Sequence, residues 1–245
     1  INLTIEAGTH VAIVGPSGAG KSSFVGLLLG WYRAASGSVW IDGEPLTSER
    51  LVTLRQEIAW VDPSVQIWNR SLLENLHYST AHVDEQAVTR VLEEADLYNV
   101  LERLPNGLQT ELGESGGLIS GGEGQRVRVG RAMLRPAVRL AILDEPFRGL
   151  DRAKRRQLLK IARAHWANTT LLCITHDVDE TKNFDRVLVV EGGRIVEDAS
   201  PLLLAADTNS HYHALLQADT SVRQGLWQGT QWRRLRIEGG MVHEG

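Results

Sequence analysis

The eight residues from Gly15 to Ser22, GPSGAGKS, restrict the possible folds of this chain more than any other segment. They fit the phosphate-loop pattern G-x-x-x-x-G-K-[ST], in which glycines let backbone N–H groups turn inward toward phosphate oxygens. The pattern requires a buried strand before it and a helix after it, whose positive N-terminal end faces the phosphates. Here the apolar run Val11–Val14 precedes the loop, and a helical pattern from Ser22 to Leu29 follows it. The sequence therefore predicts an α/β nucleotide-binding fold.

Each position of this loop is predicted to face the phosphates of a nucleotide. Lys21 would place a positive charge near the β- and γ-phosphates, which makes it a candidate catalytic residue, and the Ser22 hydroxyl would bind Mg²⁺. The predicted nucleotide contacts are Gly15, Pro16, Ser17, Gly18, Ala19, Gly20, Lys21, Ser22 and Ser23. The competing interpretation is a chance glycine-rich turn, and the strand and helix on either side argue against it.

Two acidic residues follow another buried strand. The run Leu140–Leu143 is apolar, and Asp144 and Glu145 come directly after it. In phosphate-loop enzymes an Asp at a strand end binds Mg²⁺ opposite the loop Ser, so Asp144 is a predicted metal ligand together with Ser22. Glu145 is the predicted catalytic base, which orients and deprotonates the water that attacks the γ-phosphate. Alternatively, both acids are surface carboxylates where a strand meets a loop.

Strands alternate with helices over the rest of the chain, which favours an α/β core with a parallel sheet. Further strands are predicted at Leu3–Ile5, Ile58–Val61 and Leu171–Thr175, with a hairpin around Glu191–Gly193. Between about 70 and 135 apolar residues recur at helical spacing, which predicts an inserted helical block. The basic cluster of Arg152, Lys154, Arg155 and Arg156 is interpreted as the solvated face of a helix.

The segment Ile119–Arg126, ISGGEGQR, resembles the signature motif LSGGQ of the ATP-binding-cassette (ABC) ATPases. Ile119 replaces the usual Leu, and Glu123 stands at the Gln position. A hydroxyl, accessible glycine N–H groups and a helix from Gln125 would together form a second anion-binding turn. The resemblance implies that nucleotide is also contacted by Ser120, Gly121, Gly122 and Glu123. In isolation, a plain glycine turn before a helix would explain the same residues.

Further matches extend the resemblance over nearly the whole chain. Phe147–Asp151 is similar to the family's D-loop, which implies a nucleotide contact for Asp151. His176 stands where the family has its switch histidine, which implies a catalytic residue that senses the γ-phosphate. Taken alone, it would be an ordinary loop histidine, one of eight in the chain. The stretches Trp68–Leu76 and Leu112–Gly117 resemble exporter-type members.

Two features depart from the family pattern. After the strand predicted at Ile58–Val61, the family has a Gln that contacts Mg²⁺ and couples to the membrane partner, whereas this sequence has Pro63. Gln66 comes three residues later and would substitute only if the loop shifts, so coupling through this loop is in question. The family's adenine-stacking aromatic residue belongs upstream of Ile1.

The resemblance implies a P-loop NTPase fold, an α/β architecture with a mostly parallel core sheet, a small antiparallel β subdomain and an inserted helical subdomain. The implied ABC ATPase domain covers residues 1–205, with the helical insertion at about 70–135. Residues 206–245 form a C-terminal extension without an assigned role. Because the alternation of apolar and polar residues from Ile1 to Ile5 is typical of a strand that has already begun, we expect an upstream membrane part that this chain lacks.

The expected function is that of the ATP-hydrolysing, Mg²⁺-dependent motor of a transporter, most simply an exporter, at the cytoplasmic face of the cell membrane. The resemblance implies a head-to-tail dimer with a second nucleotide-binding domain, identical or different. Each ATP would lie between the phosphate loop of one domain and the signature of the other. A transmembrane domain, fused upstream or separate, is the other expected partner.

Two alternatives stay open: a non-transport ABC ATPase that acts on nucleic acid or ribosomes, and a degenerate nucleotide-binding regulatory subunit. A net charge of −4 and the lack of a basic stripe argue against nucleic acid as a partner. Lys21, Glu145 and His176 are all present, which argues against a degenerate subunit. Pro63 is the one feature in favour of such a subunit.

Overall fold

The computed structural model describes residues 1–62, 64, 66–78, 84–228, 235–238 and 241–244, with side chains as far as residue 221. The strands are β1 (His10–Val14), β2 (Trp40–Ile41), β3 (Glu44–Pro45), β4 (Ile58–Val61), β5 (Leu140–Asp144), β6 (Thr170–Ile174), β7 (Arg186–Glu191), β8 (Arg194–Ala199), β9 (Leu235–Glu238) and β10 (Met241–Glu244). The α-helices are α1 (Lys21–Leu28), α2 (Ser48–Leu54), α3 (Leu72–Leu76), α4 (Glu85–Glu94), α5 (Tyr98–Arg103), α6 (Gly121–Met133), α7 (Arg152–His165), α8 (Pro201–Ala206) and α9 (His211–Gln228). Short 3₁₀ helices lie at Gly107–Gln109, Glu114–Gly116 and Val178–Asn183.

In the part of the chain that the structure describes, six strands form the central sheet, in the order β4-β5-β6-β1-β7-β8. All but β8 run parallel, and β8 returns antiparallel to β7 as the predicted hairpin. Ile13 of β1 and Asp144 of β5 lie opposite the same residue of β6, Ile174. The segments that follow these three strands therefore meet at one edge of the sheet, where ligands bind in open α/β folds.

Both faces of this sheet are buried, which explains the continuous apolar runs of its strands. Leu143 packs in one layer with Leu158 of α7, and Ile142 packs in the other layer with Val25 of α1. Each such side chain stabilises the fold by about 1.5–3 kcal/mol when it is fully buried. The packing makes β1, β5 and β6 a rigid support for the segments at their carboxyl ends.

Helices α3 to α6 lie between β4 and β5 in the chain, although these two strands are neighbours in the sheet. They have a core of their own, which includes the fully buried Leu72 and Val127. At Gly130 of α6 an added Cβ would lie 3.0 Å from Leu76 Cδ2, so the close approach of α3 and α6 favours glycine. These helices occupy the interval predicted for the insertion, and the domain limits themselves stay predictions.

Two local predictions of secondary structure are wrong. Residues 3–5 are described and are not part of a strand. Leu3 and Ile5 instead pack against the layer of the core beside α1 without joining a ladder. Helix α6 begins at Gly121 rather than Gln125, because the Ser120 side chain caps it and the motif glycines form its first turn.

The interpretation of the basic cluster on α7 as a solvated face is wrong for Arg152 and Arg155, whereas Arg156 is half exposed. Arg152 and Arg155 are less than a third exposed, and both lie within ion-pair distance of Asp177. Arg152 and Arg156 also pair with Asp179. The three arginines therefore face the segment that follows β6, whereas Lys154 pairs with Asp96.

The start of the C-terminal extension packs on that same segment. Tyr212 of α9 is fully buried, and its hydroxyl lies 2.8 Å from Thr181 Oγ1. Within the described residues, no helix is long and apolar enough to cross a membrane. Pro63, predicted to impair coupling, lies outside the described residues.

Candidate functional site

The phosphate loop joins the end of β1 to α1, which begins at Lys21. Gly15, Gly18 and Gly20 have φ of 141°, 77° and 100°, a region that glycine adopts readily and other residues rarely. At Gly15 an added Cβ would lie 2.1 Å from the carbonyl oxygen of Val190, so no larger residue fits. The exposed residues at the mouth of the loop are Pro16, Ser17, Gly18, Ser22 and Ser23, whereas Ala19 is buried. The glycines thus permit the tight curl that backbone binding of phosphate requires.

The Lys21 side chain packs back against the phosphate loop. Its Nζ donates to the carbonyl oxygens of Gly15 and Pro16, each at 2.9 Å, and the residue is 6% exposed. Burial lowers the pKa of Lys21, while the charges of Glu145 and Asp144 raise it. A buried ammonium group whose partners are neutral carbonyls gains a stronger interaction when an anion arrives. The lysine is therefore placed to exchange a carbonyl for a phosphate oxygen.

Ser22 and Asp144 meet at the sheet edge. The Ser22 hydroxyl donates to Asp144 Oδ2 at 3.0 Å. Burial raises the pKa of Asp144, and the hydrogen bond from Ser22 lowers it. A hydroxyl and a carboxylate are hard oxygen ligands of the kind that Mg²⁺ takes, and a divalent cation would offset the cost of burying the charge. The two residues therefore fit a Mg²⁺ site whose other ligands come from nucleotide and water.

Glu145 and His176 face each other beside this pair. His176 Nε2 lies 2.7 Å from Glu145 Oε1. Glu145 has φ of 44°, a left-handed backbone that is uncommon outside glycine and that clusters at functional sites. Its N–H donates to the carbonyl of Ile174 at 3.0 Å, so the adjoining ends of β5 and β6 set the approach of the two side chains.

A cavity of about 340 Å³ connects these groups to the phosphate loop. Its lining includes Ser17 of the loop together with Glu145 and His176. A small group bound there would contact the loop, the acid and the histidine at once. The sheet edge thus assembles, within one chain, a phosphate cradle, an oxygen pair for a metal and an acid beside an imidazole.

The signature residues lie at the start of α6. Ser120 caps the helix by accepting from the N–H of Glu123 at 3.3 Å, and the Glu123 carboxylate accepts from the N–H of Ser120 at 2.8 Å. Glu123 also pairs with Arg103. Burial raises the pKa of Glu123, but the hydrogen bonds of Ser120 and the charge of Arg103 bring it below its usual value. The acid at the family's Gln position therefore supports the helix N-terminus from its own chain.

Gly121 and Gly122 leave this helix start open. An added Cβ would meet nothing within 4 Å at Gly121, whereas at Gly122 it would lie 2.5 Å from Leu150 Cδ2. The two glycines line a wide depression of about 620 Å³ together with Gly149 and Leu150 of the D-loop. This depression shares Arg148 with the cavity at Glu145, but its lining contains no residue of the phosphate loop.

Asp151 acts as a helix cap in this structure. Its side chain accepts from the N–H of Lys154 at 3.0 Å and begins α7. The predicted contacts thus form two groups. The phosphate loop, Asp144, Glu145 and His176 are together, whereas Ser120, Gly121 and Gly122 line a separate depression whose lining includes neither Glu123 nor Asp151.

A polar hub in the helical insertion was missed by the sequence analysis. The Asn75 amide donates to the carbonyls of Trp68, Arg70 and Ser71 at 3.0–3.2 Å and accepts from Trp68 and from Arg131 of α6. Arg131 also donates to the carbonyl of Gln66 at 3.2 Å and stacks over the Trp68 ring, 4.4 Å from its centroid. An Asn between the leucines of α3, directly after Glu74, was the available signal.

Comparison with known proteins decides the family. A family model described as ABC transporter matches residues 1–148. The chain belongs to the ABC transporter family. The ATP-dependent lipid A-core flippase of Saccharophagus degradans is 39% identical over 197 residues, which cover 80% of this chain and 33% of the flippase. The Haemophilus influenzae glutathione/L-cysteine transport system ATP-binding/permease protein CydC is 32% identical over 218 residues, 89% of this chain and 38% of that protein.

A solved structure supports the same family assignment. A bacterial Atm1-family ABC exporter with ATP bound superposes with a TM-score of 0.82 at 30% identity, over 87% of this chain and 37% of that chain. The ABC domain described here therefore spans 33% to 38% of the length of these relatives. It is an exporter-like, ATP-binding domain with the P-loop NTPase fold.

Proposed function

We propose that this ABC domain binds MgATP at the carboxyl edge of its sheet and hydrolyses it with Glu145 as the general base. The hydrolysis drives opening and closing of a dimer of nucleotide-binding domains, which moves a membrane-spanning partner. The observation that carries the proposal is the contact between Glu145 and His176 beside Lys21 and the Ser22–Asp144 pair.

Each residue of this edge has a distinct task in the proposed reaction. Lys21 exchanges its carbonyl partners for oxygens of the β- and γ-phosphates. Ser22 and Asp144 would hold Mg²⁺, which neutralises phosphate charge when it is bound. Glu145 orients the attacking water and takes its proton. His176 donates to the γ-phosphate or to Glu145, and thereby distinguishes ATP from the product.

The second half of the site is proposed to come from another nucleotide-binding domain, identical or different. Gly121 faces open space at the N-terminus of α6, where N–H groups and the helix dipole favour an anion. The phosphate loop of the same chain does not line that depression. A γ-phosphate bound to one domain would therefore fill the signature surface of the other and close a head-to-tail dimer.

The transport partner follows from the relatives. The names of the relatives are those of flippases, of an ATP-binding/permease protein and of an exporter, and this chain aligns with about a third of each. We infer a transmembrane domain, fused or separate, and a location at the cytoplasmic face of a membrane, where ATP is available. A net charge of −4 gives no support to a nucleic-acid partner.

The experiment that tests the reaction is the Glu145→Gln variant, which keeps the shape of the side chain and removes the base. ATP binding measured by calorimetry should be preserved, because Lys21, Ser22 and Asp144 are unchanged. Turnover should fall by about 10²-fold or more, the usual scale for the loss of a general base. Wild-type turnover in this variant would move the base to another residue.

The exposed Glu49 of α2 offers a matched control, since it lies away from the sheet edge. Glu49→Gln makes the same chemical change and should retain wild-type turnover. A loss of similar size in both variants would indicate a general effect of charge, and would contradict the proposal.

A further inference from the structure

The segment that follows His176 faces helix α7 through three acids. Asp177, Asp179 and Glu180 have side chains that are 8%, 18% and 5% exposed. Their cationic neighbours are Arg152, Arg155 and Arg156 of α7, together with Lys182 of their own segment, which pairs with Asp179. Burying so many charges costs solvation energy even when they are paired, so a network of this kind is better suited to fixing a geometry than to adding stability.

Arg155 has the central place in this network. Its Nη2 donates to Asp177 Oδ2 at 2.8 Å, and its Nε lies 3.4 Å from Glu180 Oε1. Its backbone N–H donates at 2.9 Å to the carbonyl of Asp151, the D-loop acid that caps α7. This is the ordinary backbone bond of the first helical turn, so Arg155 lies in the turn that Asp151 caps, and its side chain contacts the residue directly after His176.

His176 is itself held mainly through its neighbours in the chain. The imidazole is 47% exposed and contacts Glu145. On one side the N–H of Thr175 donates to the carbonyl of Ile13 at 3.4 Å, and on the other side Asp177 is fixed by Arg155. The residue before His176 is thus bound to the sheet, and the residue after it is bound to α7. A shift of α7 would therefore displace Asp177 and, with it, the backbone at His176.

We propose that Arg155 is a positioning residue that couples the D-loop acid Asp151 to the catalytic contact between His176 and Glu145. This inference rests on the proposed function, because it assumes that the contact acts in ATP hydrolysis. When a partner domain engages the D-loop, α7 and its Arg155 side chain transmit the displacement to Asp177. The imidazole then turns relative to the acid, so hydrolysis in one site depends on the D-loop of the same chain.

Glu180 gives this coupling a dependence on pH. It faces Asp177 in its own segment, the three arginines of α7, and Cys173 of β6. Burial and the charge of Asp177 raise the pKa of Glu180 to about 7. Below that pH the acid is neutral and Arg155 is held by Asp177 alone. Above it the Glu180 carboxylate also attracts the guanidinium group, from the side of Nε, which forms no hydrogen bond with any residue that the structure describes.

The test compares Arg155→Met with Arg156→Met. Arg156 is on the same helix, half exposed, and pairs with Asp179 rather than Asp177. In Arg155→Met, kcat should fall about tenfold to a hundredfold with ATP affinity unchanged, the scale expected when a catalytic group is displaced. Arg156→Met should retain kcat within about twofold, since surface substitutions have small effects. Wild-type kcat in Arg155→Met, or equal losses in both variants, would overturn the proposal.

Two further variants keep the test decisive if Arg155→Met folds poorly. Asp177→Asn should reduce kcat by a similar factor, and Arg155→Lys should recover part of the activity, because lysine keeps the charge but reaches only one acid. The double variant Asp177→Asn/Arg155→Met should lose no more kcat than the worse of the two single variants, since both substitutions remove the same contact. Multiplying losses in the double variant would mean that the two residues act independently, against the proposal.

The pH profile supplies a readout that a purely structural contact would not move. The ratio of kcat in Glu180→Gln to kcat in the wild type should rise between about pH 6 and pH 8, because the amide cannot ionise and compete for Arg155. A flat ratio would contradict the role of Glu180. If instead Glu145→Gln keeps full turnover, the proposed function itself fails, whatever the Arg155 variants show. If Glu145→Gln loses turnover and Arg155→Met does not, only the proposal for Arg155 fails.

Discussion

The sheet edge and the start of α6 both present glycines at a helix N-terminus, but they are built differently. At the sheet edge, Lys21, the Ser22–Asp144 pair and Glu145 with His176 converge from three neighbouring strands. At α6, Gly121 lies open, Gly122 is covered by Leu150, and Glu123 is engaged in capping its own helix. The first region has what it needs for chemistry, whereas the second has only a surface for an anion that its own chain does not supply.

Under the proposed function, this difference makes hydrolysis at the sheet edge depend on a second domain. The central sheet is buried on both faces, so the geometry at its edge is set by folding alone. The helical insertion has a separate core and reaches the sheet through α6 and the loop around Gln66. Substitutions in the two regions should therefore separate nucleotide binding from the stability of the insertion.

The largest expected effect belongs to the sheet edge. Lys21→Ala removes the charge nearest the β- and γ-phosphates and should weaken MgATP binding by about 2–3 kcal/mol, the scale of a charge-assisted contact. Calorimetry against Lys160→Ala, an exposed lysine of α7, gives the comparison. Wild-type affinity in Lys21→Ala would mean that this loop is not the nucleotide site.

A smaller effect, confined to the insertion, is expected from Asn75→Ala. Asn75 is fully buried, and its loss leaves the N–H of Trp68 and one N–H of Arg131 without the side-chain oxygen that they share. The free energy of unfolding should fall by about 1–3 kcal/mol, the cost of unsatisfied buried polar groups. Urea unfolding measures this loss, and ATP affinity should stay within about twofold of the wild type.

Asn99→Ala is the matched control, since Asn99 is exposed on α5. It should leave the free energy of unfolding within about 0.5 kcal/mol of the wild type. Should Asn75→Ala weaken ATP binding as strongly as Lys21→Ala does, the two regions would not be separable, and the comparison drawn above would be wrong.

Much of the sheet edge could be predicted because its spacing follows from chemistry. A glycine loop between strand and helix, and acids after a buried strand, are short local patterns, and the parallel sheet then brings them together. The sequence could not predict the distance between Glu145 and His176, because that distance depends on the positive φ of Glu145 and on the pairing of β5 with β6.

The errors arose where distant residues decide the outcome. Arg152, Arg155 and Arg156 form a basic stretch in sequence, and only the folded chain shows the acids opposite them. The hub at Asn75 requires α6 to supply Arg131 from 56 residues away. At Gly121 the sequence suggested a loop, but Ser120 and Glu123 form a capping box that starts the helix earlier.

The measurement that tests the central claim most directly is the molecular mass in solution of Glu145→Gln, by light scattering, with and without MgATP. The account predicts a dimer at saturating MgATP and a monomer without it, since the bound γ-phosphate completes the signature surface of a second copy. Adding Gly121→Asp should leave ATP bound but the protein monomeric. The new carboxylate fits the open space and the helix N-terminus of its own chain, but repels a phosphate from the partner. A Glu145→Gln protein that binds ATP and stays monomeric would exclude a second copy of this chain as the partner, and a Gly121→Asp combination that dimerises equally well would contradict the account.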